Sequence, residues 1–264
     1  MKLSSGKGLW RTTCCFALLS LLLFAGGFVF ALDPQQLSTN RPAPADRQKA
    51  EPASPLPAEG KWNVVTLGDS LTRGVGDANG QGYVGLVRQA LEKQTGQPPV
   101  LTNLAISGLQ SPGLLEQLSQ AQVQRQLAQA DLILFTIGGN DLFHQSGGVY
   151  ELDENKLAEA TRTLSANYEQ ILRRIREINP DATIIYTALY NPFGDTEAAT
   201  DTVKPVLEWN SRAAEIAARF NKVIVVPTYD LFTQKEKTYL YSDHFHPNSE
   251  GYARIADRVM QALQ

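Results

Sequence analysis

The stretch Trp62-Asn63-Val64-Val65-Thr66-Leu67-Gly68-Asp69-Ser70-Leu71 decides the fold. Apart from Asn63, its first six residues are apolar or β-branched, with no polar alternation. Such a run is expected of a strand covered on both faces, as in parallel sheets flanked by helices. Gly68-Asp69-Ser70 then ends the strand and leaves Ser70 at the rim of the sheet. Working outward, further strand-like runs lie at residues 100–104, 132–137, 183–188 and 222–226. Helical patterns fall between and after them, at 83–94, 114–129, 154–179, 203–220 and 248–263, with Asn179-Pro180-Asp181 as a stop signal. Strand and helix in alternation predict an α/β fold, a five-stranded parallel sheet with helices on both faces. Ligands in such sheets bind beyond the carboxyl ends of the strands.

Composition narrows the function classes. The chain has 264 residues, 43% hydrophobic and 19% charged, enough for a sizeable core. Lys2, Lys7 and Arg11 are the only charges before Asp33. Without those three, the 24 basic residues fall to 21 against 27 acidic, a balance of −6. That disfavours nucleic acid as a partner, because phosphate binding needs clustered Lys and Arg. Cys14 and Cys15 are the only cysteines, so the rest of the chain has neither a disulfide nor a thiolate metal site.

Residues 12–32 are uncharged and follow the basic flank. A helix there would span roughly 30 Å, about one bilayer core. Residues 1–32 therefore read as a signal peptide, with Val29-Phe30-Ala31 as its cleavage site, or as an uncleaved single-pass membrane anchor. The length of the run favours the anchor. Either way the remainder is expected to be extracytoplasmic. Residues 33–60 carry six prolines and no aromatic residue, the composition of a disordered spacer. The folded domain is expected over 61–264, as a monomer.

Four segments sit at strand ends: Gly68-Asp69-Ser70; Asn103 to Gly108; Gly138-Gly139-Asn140-Asp141; and Asp243-His244-Phe245-His246-Pro247. In this topology all four converge on one rim. A serine hydroxyl is a weak nucleophile until a base removes its proton. His246 can be that base, and Asp243 can orient its ring and stabilise the imidazolium. Attack on an ester creates an oxyanion, and the Ser70 and Gly108 N–H groups with the Asn140 amide can form the oxyanion hole. Asp69 can brace its turn, Asp141 suits a structural acceptor, and Pro247 suits the first position of the last helix.

These blocks make the chain similar to the GDSL, or SGNH, hydrolase family, nearest the bacterial lysophospholipase and acyl-esterase branch. The family's Ser, Gly, Asn and His correspond to Ser70, Gly108, Asn140 and His246, and Asp243 matches the acid of Asp-x-x-His. The resemblance implies a flavodoxin-like three-layer α/β/α sandwich. It further implies hydrolysis of esters or thioesters by Ser70, Asp243 and His246, with no cofactor and no metal. The substrate expected is a lysophospholipid or fatty-acyl ester; the alternatives are a carbohydrate O-acetylesterase of the envelope and an inactive tethered binding module. Leu142, Phe143, Val149, Tyr150 and Phe193 suit an apolar acyl site.

Other motifs point elsewhere. His244 and His246 could be two metal ligands, with His144 or a carboxylate completing the site, but no further ligand spacing supports this. Gly80-Gln81-Gly82-Tyr83-Val84-Gly85 matches a dinucleotide fingerprint, but lies twelve residues beyond the strand end. No Gly-x-Ser-x-Gly elbow of the α/β-hydrolase type is present.

Overall fold

The structure is a computed structural model in which residues 16–24, 61–144 and 152–264 are described. Residues 16–24 are helical with exposed side chains. No helix among the described residues is long and apolar enough to cross a membrane. The expected spacer at 33–60, most of the expected N-terminal leader, Val149 and Tyr150 lie outside the described residues.

From residue 61 onward the elements alternate. They are β1 (Asn63–Gly68), α1 (Ser70–Arg73), α2 (Gly82–Thr95), β2 (Val100–Asn103), α3 (Ser111–Gln117), α4 (Ala121–Leu127) and β3 (Leu132–Thr136). They continue with α5 (Gly139–His144), α6 (Glu154–Ile178), β4 (Thr183–Thr187), α7 (Ala199–Ala217), β5 (Val223–Val226), α8 (Tyr229–Phe232), α9 (Glu236–Tyr239) and α10 (Ser249–Ala262). The five strands are parallel in the order β2-β1-β3-β4-β5. This is the flavodoxin-like order, with its switch point between β1 and β3.

Pleating divides the strand residues between two cores. Val65, Leu67, Ile133, Phe135, Ile184 and Tyr186 enter one cluster with α3, α4, α6 and α7. Val64, Leu132, Leu134 and Ile185 enter the other with α2 and α10. Both faces are therefore buried, and the uninterrupted apolar runs follow from that. The largest enclosed side chains include Tyr168, Tyr186 and Trp209. Trp209 Nε1 donates to the Tyr186 hydroxyl at 2.8 Å, which donates to the Ile137 carbonyl at 2.9 Å. The Trp209 and Tyr186 tips are thus satisfied inside the core, where an unpaired group costs about 1–3 kcal/mol, whereas the buried Tyr168 hydroxyl has no partner among the described residues.

Three helix readings are corrected. The pattern at 114–129 is two helices, α3 and α4, rather than one. Leu114, Leu118, Val123 and Leu127 are all buried. The five-residue step from Leu118 to Val123 would rotate Val123 off the apolar face of one continuous helix, so the chain breaks there. Ser119 assists the break, its hydroxyl taking the Glu116 carbonyl at 2.6 Å. Helix α7 begins at Ala199 and ends at Ala217, earlier at both ends than the reading at 203–220, and it carries Pro205 inside. Pro247 is not the first residue of α10. The cap is Asn248, whose Oδ1 accepts from the Gly251 N–H at 3.0 Å, and the helix starts at Ser249.

Candidate active site

Ser70 opens the single-turn helix α1, directly beyond β1. Gly68, the last strand residue, has φ 106, and a Cβ there would lie 1.9 Å from the Thr136 carbonyl oxygen of β3. Only glycine fits that position. Asp69 is the N-cap: its Oδ1 accepts from the Leu71 N–H at 3.0 Å and from the Thr136 hydroxyl at 2.6 Å. A hydroxyl has one proton, so the bond to Asp69 makes Thr136 the acceptor in its 2.8 Å contact with Thr72. Thr72 in turn accepts from the Tyr83 hydroxyl at 2.9 Å. A buried file of hydroxyls thus runs from α2 through α1 and β3 to the carboxylate beside Ser70. Burial pushes the Asp69 carboxyl above its usual range, although the bonds from Thr136 and Leu71 pull it back.

Asn140 is the second residue of α5, beyond β3, and is buried. Its Nδ2 donates to the Leu109 carbonyl at 3.0 Å, and its own carbonyl accepts from Gln110 Nε2 at 3.1 Å. These bonds tie it to the loop that carries Gly108. Gly108 has φ 77 with open space around a built Cβ, so backbone conformation, not crowding, selects glycine there. It is exposed and not among the residues lining the cleft described below.

His246 reaches in from the loop before α10. Its Nε2 lies 2.8 Å from Ser70 Oγ, and its Nδ1 lies 2.7 Å from Asp243 Oδ2. A carboxylate only accepts, so Nδ1 carries the ring proton and Nε2 is free to accept from Ser70. Asp243 Oδ1 also accepts from the backbone N–H groups of Phe245 at 3.0 Å and His246 at 2.9 Å. Partial burial raises the Asp243 carboxyl, but the His246 ring and these two N–H groups outweigh it and hold it below the usual range. The loop is fixed without regular secondary structure. The Tyr241 N–H donates to the His246 carbonyl at 2.7 Å, Leu240 and Pro247 form an antiparallel bridge, and the Tyr190 hydroxyl donates to the Phe245 carbonyl at 2.6 Å.

Ser70, Asn140 and His246 open onto a cleft with about 470 Å³ of empty space, part of it continuous with solvent. Leu71, Phe143, Leu189, Tyr190, Pro192 and Phe245 also line it, so most of this lining is apolar. Phe193 sits behind the cleft, between Phe143 at 5.6 Å and Phe245 at 5.9 Å, measured between ring centres. Leu142 is fully buried in the core and does not line the cleft.

The remaining sequence candidates fall elsewhere. Asp141 is buried and bonded to Ser111. His144 and His244 are exposed, and among the described residues no group of three His, Cys, Asp or Glu could hold a metal ion. The Gly80-to-Gly85 motif opens α2, where Asp77 Oδ2 takes the Gln81 and Gly82 N–H groups at 2.8 and 2.9 Å. A carboxylate therefore occupies the helix start that a dinucleotide phosphate would need. Sequence reasoning missed Leu189 and the Thr136–Thr72–Tyr83 file, whereas Tyr190 and Pro192 lie in the stretch 190–202 that the sequence places at the border of the cleft. Phe245 could have been found, since it lies inside Asp-x-x-His.

A family model for the GDSL-like lipase/acylhydrolase family matches residues 66–254. The chain belongs to that family. It is a carboxylic-ester hydrolase of GDSL type. It is 37% identical over 206 residues to the uncharacterized protein YpmR of Bacillus subtilis, covering 76% of this chain and 81% of YpmR. It is 34% identical over 205 residues to the spore germination lipase LipC of Bacillus licheniformis, covering 75% of this chain and 94% of LipC. Among solved structures, the lipase Lip_vut3 from a goat rumen metagenome superposes with a TM-score of 0.70 at 32% identity, covering 77% of this chain and all of Lip_vut3.

Proposed function

We propose that this GDSL hydrolase is an exported serine esterase whose substrates are lysophospholipids or fatty-acyl esters. The observation that carries the reading is the continuous hydrogen-bonded line Asp243–His246–Ser70, opening on a cleft lined mainly by apolar side chains. Ser70 Oγ attacks the ester carbonyl while His246 Nε2 takes its proton. The new charge on the ring is met by Asp243 through Nδ1–H. The oxyanion is received by the Ser70 and Gly108 N–H groups and by the Asn140 amide. That amide has two hydrogens; one is held by the Leu109 carbonyl and the other is left for the substrate. His246 then protonates the departing alcohol, and water repeats the sequence in reverse on the acyl-enzyme.

Phe143, Leu189, Pro192 and Phe245 provide the wall for the acyl chain. The lipase relative LipC supports a lipid-type ester, and the basic N-terminal flank with its uncharged run supports placement at the outer face of a membrane. Hydrolysis of p-nitrophenyl esters from acetyl to palmitoyl by the full chain, beside Ser70→Ala, tests the reading. Loss of several orders of magnitude in the variant, with unchanged melting, is expected. Serine-dependent activity that rises with chain length supports a lipid substrate. A preference for acetyl would replace it with a decorated polysaccharide, and near-normal activity in the variant would remove Ser70 as nucleophile.

A further inference from the structure

The loop that carries Gly108 and the helix start that carries Asn140 follow different strands, β2 and β3, and need not move together. Here they are joined by a group of bonds centred on a buried carboxylate. Asp141 Oδ1 and Oδ2 accept from the Ser111 N–H at 2.9 and 3.1 Å, and Oδ1 accepts from the Ser111 hydroxyl at 2.5 Å. Both residues are buried, Ser111 completely. Asn167 of α6 donates to the same hydroxyl at 2.9 Å, anchoring the pair to the body of the domain. Asn140 Nδ2 and Gln110 Nε2 cross between the same two segments in opposite directions. Residues 109–111 are thereby bonded to residues 140–141 at every position.

From this geometry we infer that Asp141 is a positioning residue: it holds Asn140 and the Gly108 loop in one arrangement, so that their N–H groups meet the same oxyanion. The inference rests on the proposed role of Asn140 and Gly108 as oxyanion donors. The choice of residue type supports it. Burying a carboxylate is costly, and burial indeed pushes the Asp141 carboxyl upward despite the bonds from Ser111. A neutral amide would avoid that cost, but where Oδ2 now accepts from the Ser111 N–H at 3.1 Å it would set an NH2 group, a donor facing a donor. The function of such a clamp is precision. Donors act fully only when preplaced at hydrogen-bond distance from the developing charge, and a displacement of about 1 Å can cost about a hundredfold in rate. Ground-state binding of the acyl chain depends on other side chains, Leu189, Pro192 and Phe245, and should not sense the change.

The test compares Asn140→Ala, Asp141→Asn and Ser111→Ala in the full chain, each below its own melting transition. Steady-state hydrolysis of a p-nitrophenyl ester is measured beside inhibition by a boronic acid, which forms a tetrahedral adduct on a serine. Asn140→Ala is expected to lower kcat by about 10²–10³-fold. Asp141→Asn is expected to lower kcat by about tenfold or more, leave KM within about twofold, and weaken the boronic acid by the same factor as kcat. Ser111→Ala keeps its N–H and should fall between Asp141→Asn and the native protein. A role confined to folding would lower the melting temperature and leave kcat and boronic acid affinity of the folded enzyme unchanged. If Asn140→Ala loses both and Asp141→Asn and Ser111→Ala lose neither, the clamp is overturned while the oxyanion role stands. If Asp141→Asn raises KM with kcat intact, the clamp is also overturned. If Asn140→Ala itself behaves as native, the oxyanion reading falls, and the clamp with it.

Discussion

The Ser70 side and the His246 side of the cleft are built in opposite ways. Ser70 and Asn140 stand at helix starts beyond central strands, and their neighbouring carboxylates, Asp69 and Asp141, are almost fully buried. His246 stands on a loop without helix or strand, and its partner Asp243 has 37% of its side chain exposed. The same residue type therefore behaves differently across one cleft. Burial raises Asp69 and Asp141, whereas at Asp243 burial is outweighed by the combined hydrogen bonds, which lower it. On the serine side, carboxylates act as buried braces tied to backbone and hydroxyls; on the histidine side, a carboxylate is kept ionised by the ring and the backbone N–H groups bonded to it.

The largest effect is expected at Asp243. Asp243→Asn should lower kcat/KM by about 10²–10⁴-fold, because the wrong ring nitrogen then carries the proton, while the melting temperature changes little. Activity within tenfold of native would show that the exposed side needs no charge. Next in size is Tyr190→Phe, which deletes the bond to the Phe245 carbonyl and loosens only the histidine loop. A fall in kcat of up to about fivefold is expected, the equivalent of about 1 kcal/mol. An unchanged rate would mean that the bridge and turn around residues 240–247 hold the loop unaided.

The smallest effect is on stability and belongs to the serine side. Because the Asp69 carboxyl is raised, the native fold holds its proton more tightly than the unfolded chain does. Its ionisation therefore costs stability as pH climbs from the ordinary value of 3.8 through the raised one, and the cost is complete above it. Asp69→Asn retains Oδ1 for Leu71 and Thr136 and removes the charge. At neutral pH the variant should melt higher, by no more than the few degrees usual for a single side chain, and the gain should fade as pH drops toward 3.8. Asp243 has the opposite sign: its contribution is present above 3.8 and is lost only below it. A thermal melt series across pH that shows no gain for Asp69→Asn would contradict the cost assigned to burial.

Much of the domain could be read before any coordinates. Five strand runs, their alternation with helices and the rim positions of Ser70, Asn140 and His246 all follow from local pattern, because strands covered on both faces must be continuously apolar and turns must follow them. The pattern at 114–129 misled because a periodic apolar count does not register a five-residue step as a break until its burial partners are known. Pro247 misled because its antiparallel bridge to Leu240 is a contact between residues seven apart, invisible to helix rules.

The amino-acid sequence by itself determined which residue types stand beyond the strand ends and in what order along the chain, since strand ends and turns follow from local pattern. Only the tertiary structure decided how they are held. The hydroxyl file behind Asp69, the Tyr190 strut to the histidine loop and the Asp141–Ser111–Asn167 clamp join residues far apart in the chain. Such pairings depend on which elements become neighbours once both faces of the sheet are covered, and no local propensity encodes that.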